Sequence, residues 1–371
     1  MIALSWIILL FFILIQIICL WSINRPSRHP TESFETLPKV SILLAARNEE
    51  SLILRSLSSI EALKYPTSQL EVLIGDDQSE DRTAHLVRDF IKDKGNYSLY
   101  SVAENMGKSR GKANVLAHLA HKASGEFYFI TDVDVQLPTN WITELLKEFT
   151  PDVGIVSGTT TCQADHQLFS RLQSIDWLHF MGYIQSFANI NIACTSVGNN
   201  MAVRAKAYWE TGGYEHIDYS ITEDYKLFDE VTKRDWKWRT ILTSNSLGLA
   251  THISSWYEML HQRKRWLIGA RELPLLWKIL IALYGLYIPA ILVMFVLQPL
   301  VGLVFLVLKV VLQSAYIHQL TKRVKLASFA FGDLFFYEFY VVFNTLITAI
   351  FYFSPVKTVW KGRTYSNNDL K

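Results

Sequence analysis

The residues best suited to chemistry are Asp132-Val133-Asp134, which directly follow a short apolar run, Phe127 to Thr131, that reads as a strand. Two carboxylates with one residue between them at a strand end can present oxygens to a hard divalent cation, Mg²⁺ or Mn²⁺, that also holds a diphosphate. The cation then takes up the charge that develops on a leaving diphosphate. A metal-free turn would satisfy any single Asp-x-Asp. This one is accompanied, in chain order, by Asp76-Asp77, Lys112, Glu223-Asp224 and Gln262-Arg263-Lys264-Arg265-Trp266, the last just ahead of a long apolar stretch.

Each companion has a chemical and an ordinary reading. Arg47-Asn48-Glu49 closes one apolar run and Asp76-Asp77-Gln78-Ser79 closes the next. Aspartate there accepts hydrogen bonds from a base or ribose, yet Asp and Ser also serve turns and helix caps. Lys112, with Lys108 and Arg110, lies in or beside the loop Gly107 to Gly111, where positive charge on flexible backbone meets either phosphate or solvent. Glu223 and Asp224 precede a helix expected over Tyr225 to Arg234. One of these carboxylates can take a proton from a hydroxyl, held ionised by a nearby cation, although helix N-termini favour acids anyway. Gln262, Arg265 and Trp266 recur at i, i+3 and i+4 and so share one helical face. Arginine there can grip a phosphate bidentately and the indole can stack on a sugar. A basic helix entering a membrane interface would carry the same residues.

The elements that must position these groups alternate. Val40 to Ala46 is expected as a buried strand, Glu49 to Leu63 as a helix, Val72 to Gly75 as a strand, with a helix beginning near Asp81 and Arg82. Tyr97 to Val102, Gly111 to Lys122 and Phe127 to Thr131 continue as strand, helix, strand. This pattern specifies an α/β domain with a mostly parallel sheet covered on both faces, which binds ligands beyond the carboxyl ends of its strands. No G-x-G-x-x-G follows the first strand, which removes the main support for a dinucleotide fold.

The flanks are apolar. Ile2 to Ile23 carries no charge, is broken only by Ser5, Gln16 and Ser22, and is long enough to cross roughly 30 Å of hydrocarbon. A cleaved signal peptide is disfavoured by the missing basic start and cleavage pair. Arg25, Arg28 and His29 follow it and place the next residues in the cytoplasm by the positive-inside rule. Leu273 to Ile317, interrupted by Lys278, Gln298-Pro299 and Lys309, reads as two turned spans; Lys322, Arg323 and Lys325 follow, and then Leu334 to Phe353 with Glu338. The expected organisation is an anchor over 1–24, a cytoplasmic catalytic domain over 39–250, an interfacial helix over 251–273, a membrane region of about three apolar segments over 274–354 and a basic tail over 355–371. Three spans after the domain put the tail outside, whereas Lys357, Lys361 and Arg363 argue for inside.

Composition excludes other classes. With 36 basic against 34 acidic residues in 371, nothing points to nucleic acid or another polyanion. Cys19, Cys162 and Cys194 have neither disulfide-framework nor metal-site spacing, which suits a reducing compartment.

Taken in order, Ser41-Ile-Leu-Leu-Ala-Ala-Arg-Asn-Glu49, Asp76-Asp-Gln-Ser-Glu-Asp81, Gly111-Lys-Ala-Asn114, Thr131-Asp-Val-Asp134, Gly198-Asn-Asn-Met-Ala202, Thr222-Glu-Asp224 and Gln262-Arg-Lys-Arg-Trp266 resemble the family-2 glycosyltransferases, in particular their membrane-bound, cellulose-synthase-like branch. The resemblance covers roughly Lys39 to Arg271. It implies a nucleotide-sugar-binding domain of GT-A type flanked by transmembrane helices, and inverting transfer from a nucleotide-activated sugar, UDP-hexose first. It implies donor contacts from Arg47, Glu49, Asp76, Asp77, Lys112, Asp132, Gln262, Arg265 and Trp266, metal on Asp134 and Asp132, and Asp224 as the base with Glu223 beside it. The membrane flanks direct the acceptor toward a lipid, isoprenoid, carotenoid-like or lipid-linked hydroxyl at headgroup depth, and a processive polysaccharide synthase is the alternative. One departure is Gln78, where many relatives have glycine, so that turn must form without glycine's freedom. The sugar is not encoded in any short motif, because a few contacts set the choice of one hydroxyl's orientation.

Overall fold

The computed structural model describes residues 1–25, 31, 33–361 and 363–365, the side chains of Trp360 and residues 363–365 excepted. Arg28 and His29 lie outside the described residues, as does the Arg363 side chain. The chain opens with helix α1 (Ile2–Ile23) and then alternates: β1 (Val40–Ala46), α2 (Ile53–Glu61), β2 (Leu70–Asp76), α3 (Thr83–Ile91), β3 (Tyr97–Ser101), α4 (Gly111–Ala120) and β4 (Phe127–Asp132). Next come β5 (Val135–Gln136), α5 (Trp141–Leu146), β6 (Val153–Ser157), β7 (Thr159–Cys162), α6 (Leu168–Ala188), β8 (Asn200–Arg204), α7 (Ala205–Glu210) and α8 (Glu223–Thr232). After β9 (Lys237–Thr240) and β10 (Leu247–Ala250) follow α9 (Trp256–Gly269), α10 (Leu275–Leu297), α11 (Pro299–Val324), α12 (Phe331–Phe353) and β11 (Thr358–Trp360).

Two units form. An α/β unit is drawn from Arg28–Thr161, Thr195–Thr251 and the described part of Lys361–Lys371; a helical unit is drawn from Met1–Ser27, Cys162–Cys194 and His252–Trp360. The stretch from 39 to 250 is therefore divided, because α6 clusters with the long apolar helices.

In the α/β unit the apolar runs V-S-I-L-L-A-A and F-Y-F-I-T-D are buried throughout or nearly so, as strands covered on both faces require. The seven-stranded sheet has the order β3-β2-β1-β4-β8-β6-β9. β1 pairs in parallel with β2 and β4, and β2 with β3, while β8 runs antiparallel to β4 and β6. Register gathers the chemistry: Ala46 stands opposite Asp76 and Ala45 opposite Asp132, so three strands end together at one edge. Because β8 is antiparallel, with Asn200 opposite Thr131, the residues that precede it, Gly198 and Asn199, arrive at the same edge. One apolar core that includes Ile42, Ile74, Phe129, Val133 and Trp141 underlies that edge.

Several expected boundaries shift. The helix expected from Glu49 begins only at Ile53, because Asn48 takes a left-handed φ of 51° and the amides of Glu49 and Glu50 donate to Thr83 Oγ1 (2.7 Å) and Asp81 Oδ2 (3.0 Å). The helix expected from Tyr225 begins earlier, at Glu223. α11 runs on to Val324, so Lys322 and Arg323 fall in its last turn.

In the helical unit α1, α10, α11 and α12, of 22, 23, 26 and 23 residues, are long and apolar enough to cross a membrane. The break read at Gln298-Pro299 is the junction between α10 and α11, with proline at the helix start, where its missing N–H costs nothing. Phe12 and Ile13 of α1 pack with Tyr287, Ala290 and Met294 of α10 and with Phe305 of α11. Polar contacts lie inside the apolar bundle: Ser22 Oγ donates to the Ser186 carbonyl (2.6 Å), and Lys309 of α11 pairs with Glu338 of α12.

Candidate donor site

Val133 is buried in the core, between the half-buried Asp132 and Asp134, in the turn that joins β4 to β5. The turn is clamped through the Asp134 backbone, whose carbonyl accepts from Thr251 N (2.9 Å) and from Arg55 Nη2 (3.0 Å). Asp134 Oδ1 is buried with no hydrogen-bond partner. Burial, then the charges of Asp132 and Glu49, push its pKa up to about 7. A buried carboxylate oxygen without a donor, set beside other carboxylates, is a place for a cation. Among the described residues no group of three or more His, Cys, Asp or Glu side chains is set to close around a metal. Two carboxylates suffice for a cation whose other ligands are substrate phosphates and water.

Lys112, at the start of α4, bridges the acids. Its Nζ lies 2.5 Å from Asp132 Oδ1, 3.1 Å from Glu223 Oε1 and 3.3 Å from the Gly198 carbonyl, to which it donates. Burial pulls its pKa down, but Asp132 and Glu223 outweigh burial and hold it above the ordinary lysine value. Asp224 joins the cluster through Gly198: its Oδ2 accepts from Gly198 N (2.7 Å) and its Oδ1 from Tyr225 N (2.8 Å). Burial, then the neighbouring Glu223, push the Asp224 pKa up to about 6, against the pull of Lys112 and the two amides. Gly198 is required here, because a Cβ would stand 2.9 Å from Asp224 Cβ. Near the same acids Tyr214 carries a buried hydroxyl with no partner.

The acidic loop after β2 is held from β1. Asp77 N donates to the Ala46 carbonyl (2.9 Å), and Arg47 Nη1 donates to the Asp77 carbonyl (2.6 Å). Gln78 adopts the conformation glycine prefers, φ 56°, and its Nε2 donates to the Ala103 carbonyl (3.1 Å). Asp76 is buried, with Oδ1 lacking any partner. Glu49, also buried, pairs with Lys361 from the C-terminal segment at 2.5 Å. Burial raises the Glu49 pKa, Lys361 opposes this, and Asp132 and Asp81 add to it.

Thus Arg47, Glu49, Asp76, Asp77, Lys112, Asp132, Asp134, Glu223 and Asp224 all belong to the α/β unit. Gln262, Arg265 and Trp266 belong to the helical unit, on α9. There Trp266 meets Trp177 edge-on at 5.2 Å, and the Arg263 guanidinium sits 4.5 Å over the Trp266 ring while pairing with Asp176. Lys264, 1% exposed, donates to the carbonyls of Phe351 (3.2 Å), Ser354 (3.0 Å) and Val356 (2.8 Å). Two of the cations that suggest a headgroup-facing helix are therefore spent on internal contacts. Arg55 and Lys361 carry no local sequence signal, since each acts on a partner many residues away; Gly198 stands in a motif, but its close approach to Asp224 is not visible there.

The sequence model of glycosyl transferase family 21 matches residues 4–369. The chain belongs to glycosyl transferase family 21. A β-monoglucosyldiacylglycerol synthase of Trichormus variabilis is 27% identical to this glycosyltransferase over 253 residues, 67% of this chain and 52% of the relative. A poly-β-1,6-N-acetyl-D-glucosamine synthase of Staphylococcus epidermidis is 28% identical over 187 residues, 50% of this chain and 43% of the relative. The family-21 chain thus spans about half the length of the curated relatives it matches. Among solved structures, a mannosyltransferase of Pyrobaculum calidifontis in complex with GDP-mannose and Mn²⁺ superposes with a TM-score of 0.58 at 18% identity, over 87% of this chain and 98% of that one. That likeness shows the fold, an α/β domain of GT-A type flanked by long apolar helices. The family-21 glycosyltransferase is a member of the wider family-2 clan; motifs common to a clan do not single out its cellulose-synthase-like branch.

Proposed function

We propose that this glycosyltransferase moves one sugar, with inversion, from a nucleotide-diphosphate sugar held with Mg²⁺ or Mn²⁺ to a hydroxyl of a lipid or lipid-linked acceptor. The observation that carries the reading is the Lys112 ammonium paired with Asp132 and Glu223, with Asp224 joined to it through Gly198, beside the unpaired buried oxygen of Asp134. Asp134 and Asp132 would hold the metal, which when bound supplies positive charge to the departing diphosphate. Asp76, with its unpartnered oxygen, accepts from the base or ribose, and Asp77 and Arg47 shape that loop. The Asp224 carboxylate takes the acceptor proton as the hydroxyl attacks the anomeric carbon from the face opposite the diphosphate, and Lys112 stands ready to follow the phosphate charge. Direct displacement needs no covalent bond between sugar and protein. Gln262, Arg265 and Trp266 are proposed, on the motif alone, for the diphosphate and acceptor end, and the three apolar helices that follow keep the cellulose-synthase-like branch as the proposed one.

The acceptor class rests on four helices long enough to span a membrane and on a relative named for making a monoglucosyl lipid. UDP-hexose remains the first donor to test, with GDP-mannose next because the structural neighbour was solved with it. The poly-N-acetylglucosamine synthases among the relatives favour a second reading, processive synthesis. Purified protein in native lipid, given Mn²⁺ and a panel of radiolabelled nucleotide sugars, is expected to release nucleoside diphosphate and one discrete labelled glycolipid in the organic phase. A water-soluble ladder as the main product would replace the single-addition reading with the polymer one.

We place the catalytic unit in the cytoplasm, with domain limits near 39–250, the interfacial segment 251–273, the membrane region 274–354 and the tail 355–371. Arg25 after the uncharged α1 supports the orientation. The pairing of Lys361 with Glu49 supports a tail on the catalytic side, so that one of the three later apolar helices enters and leaves by one face or lies in the interface.

A further inference from the structure

Lys361 lies beyond the last apolar helix and in sequence far from every motif, yet it reaches the edge where β1, β2 and β4 end. Its Nζ is 2.5 Å from Glu49 Oε1, and its carbonyl accepts from Arg47 Nε at 3.3 Å. Through Nη1 the same guanidinium donates to the carbonyls of Asp77 (2.6 Å) and Gln78 (3.4 Å). One arginine therefore ties the tail to the acidic loop. Lys361 holds a left-handed φ of 47°, an unfavourable conformation for a side chain of this kind that persists only where surrounding contacts impose it. An ordinary surface ion pair contributes too little to justify that cost. About a third of the Lys361 side chain is exposed against a tenth of Glu49, so the ammonium forms the open side of the pair.

We infer that Lys361 is a donor-binding residue supplied by the tail: paired with Glu49 while the site is empty, its ammonium moves to an oxygen of the nucleoside diphosphate when donor binds. A lysine on a four-carbon stem can make that exchange by rotation alone, and the ligand brings more negative charge than Glu49 offers. This inference rests on the nucleotide-sugar reading above.

The test uses the full chain in detergent with Mn²⁺, titrated by calorimetry with UDP and with GDP, and donor kinetics with the sugar that supports turnover. Lys361→Met is expected to weaken nucleoside diphosphate binding about tenfold, the loss of one charge-assisted contact, and to raise donor KM by a like factor with kcat nearly unchanged. Lys361→Arg is expected to recover most of the affinity, and UMP and GMP, lacking the second phosphate, to lose less than UDP and GDP. Lys361→Gln gives the same comparison if the methionine variant does not fold. Unchanged diphosphate affinity in the neutral variants would overturn the inference, and so would tighter binding, which would make the lysine a plug. If the wild type binds neither UDP nor GDP, the donor reading fails first and the inference falls with it.

Discussion

Asp224 and Asp134 share an environment but not a task. With its pKa pushed up to about 6, Asp224 must be ionised to accept a proton, so the acceptor-dependent rate of the wild type should rise with pH through that region. Asp224→Asn should cost about 100- to 10,000-fold in turnover and remove that limb, with donor affinity largely kept. Equal losses in donor affinity and transfer efficiency at unchanged saturating turnover would assign Asp224 to binding and leave Glu223 as the base to examine. For Asp134, raised to about 7, the linkage runs against folding. Between the ordinary carboxylate pKa and about 7 the folded state holds the proton that the unfolded state has released, so stability falls as pH rises through this window. Asp134→Asn should therefore raise the thermal midpoint of the ligand-free protein at neutral pH while abolishing transfer. Mn²⁺ with nucleoside diphosphate should stabilise the wild type and not the variant. A lowered midpoint for Asp134→Asn would contradict the raised pKa of its carboxyl, and full wild-type activity in excess chelator would refute the metal-site reading.

At the scale of elements, α12 ends on a side chain rather than on solvent. Lys264 of α9 supplies donors to three carbonyls at or just past that helix terminus. Lys264→Met keeps the stem and removes the donors, and is expected to cost about 1–3 kcal/mol in unfolding followed by circular dichroism in detergent. A variant as stable as the wild type would show that water replaces the ammonium there. The sequence could not disclose this contact, because Lys264 sits in a run of five polar residues, His261 to Arg265, whose solvated reading is locally consistent. The same limit explains α6, which no expectation covered: Gln173, Ser174, His179 and Gln185 are buried in it, so hydropathy gives it no membrane-helix signature. The strands were legible for the opposite reason, since β1, β2 and β4 are apolar runs ending in polar residues, and the parallel order then brings Asp76 and Asp132 to one edge. Gln78 was legible in part. The missing glycine is visible in the sequence, but the left-handed backbone and its support by the Ala103 carbonyl are not.

For the whole molecule, orientation is the property that decides which pool of donor the enzyme meets. A cysteine at the exposed Ser68 should be shielded from an impermeant reagent in intact cells and react after permeabilisation; labelling in intact cells would refute the cytoplasmic placement. The Lys309–Glu338 pair within the helical unit bears on how such a chain is made. Within their apolar stretches α11 carries Lys309 and α12 carries Glu338. A lone lysine or carboxylate near the middle of a helix costs about 2.5–3.5 kcal/mol at the insertion machinery. Each helix thus inserts less favourably while its partner is missing. α11 is therefore expected to be retained beside the translocon until α12 emerges, the two partitioning into lipid as one hairpin. Lys309→Leu should improve insertion of an isolated α11 yet impair assembly of the full chain by stranding Glu338, and Lys309→Leu with Glu338→Leu should restore it.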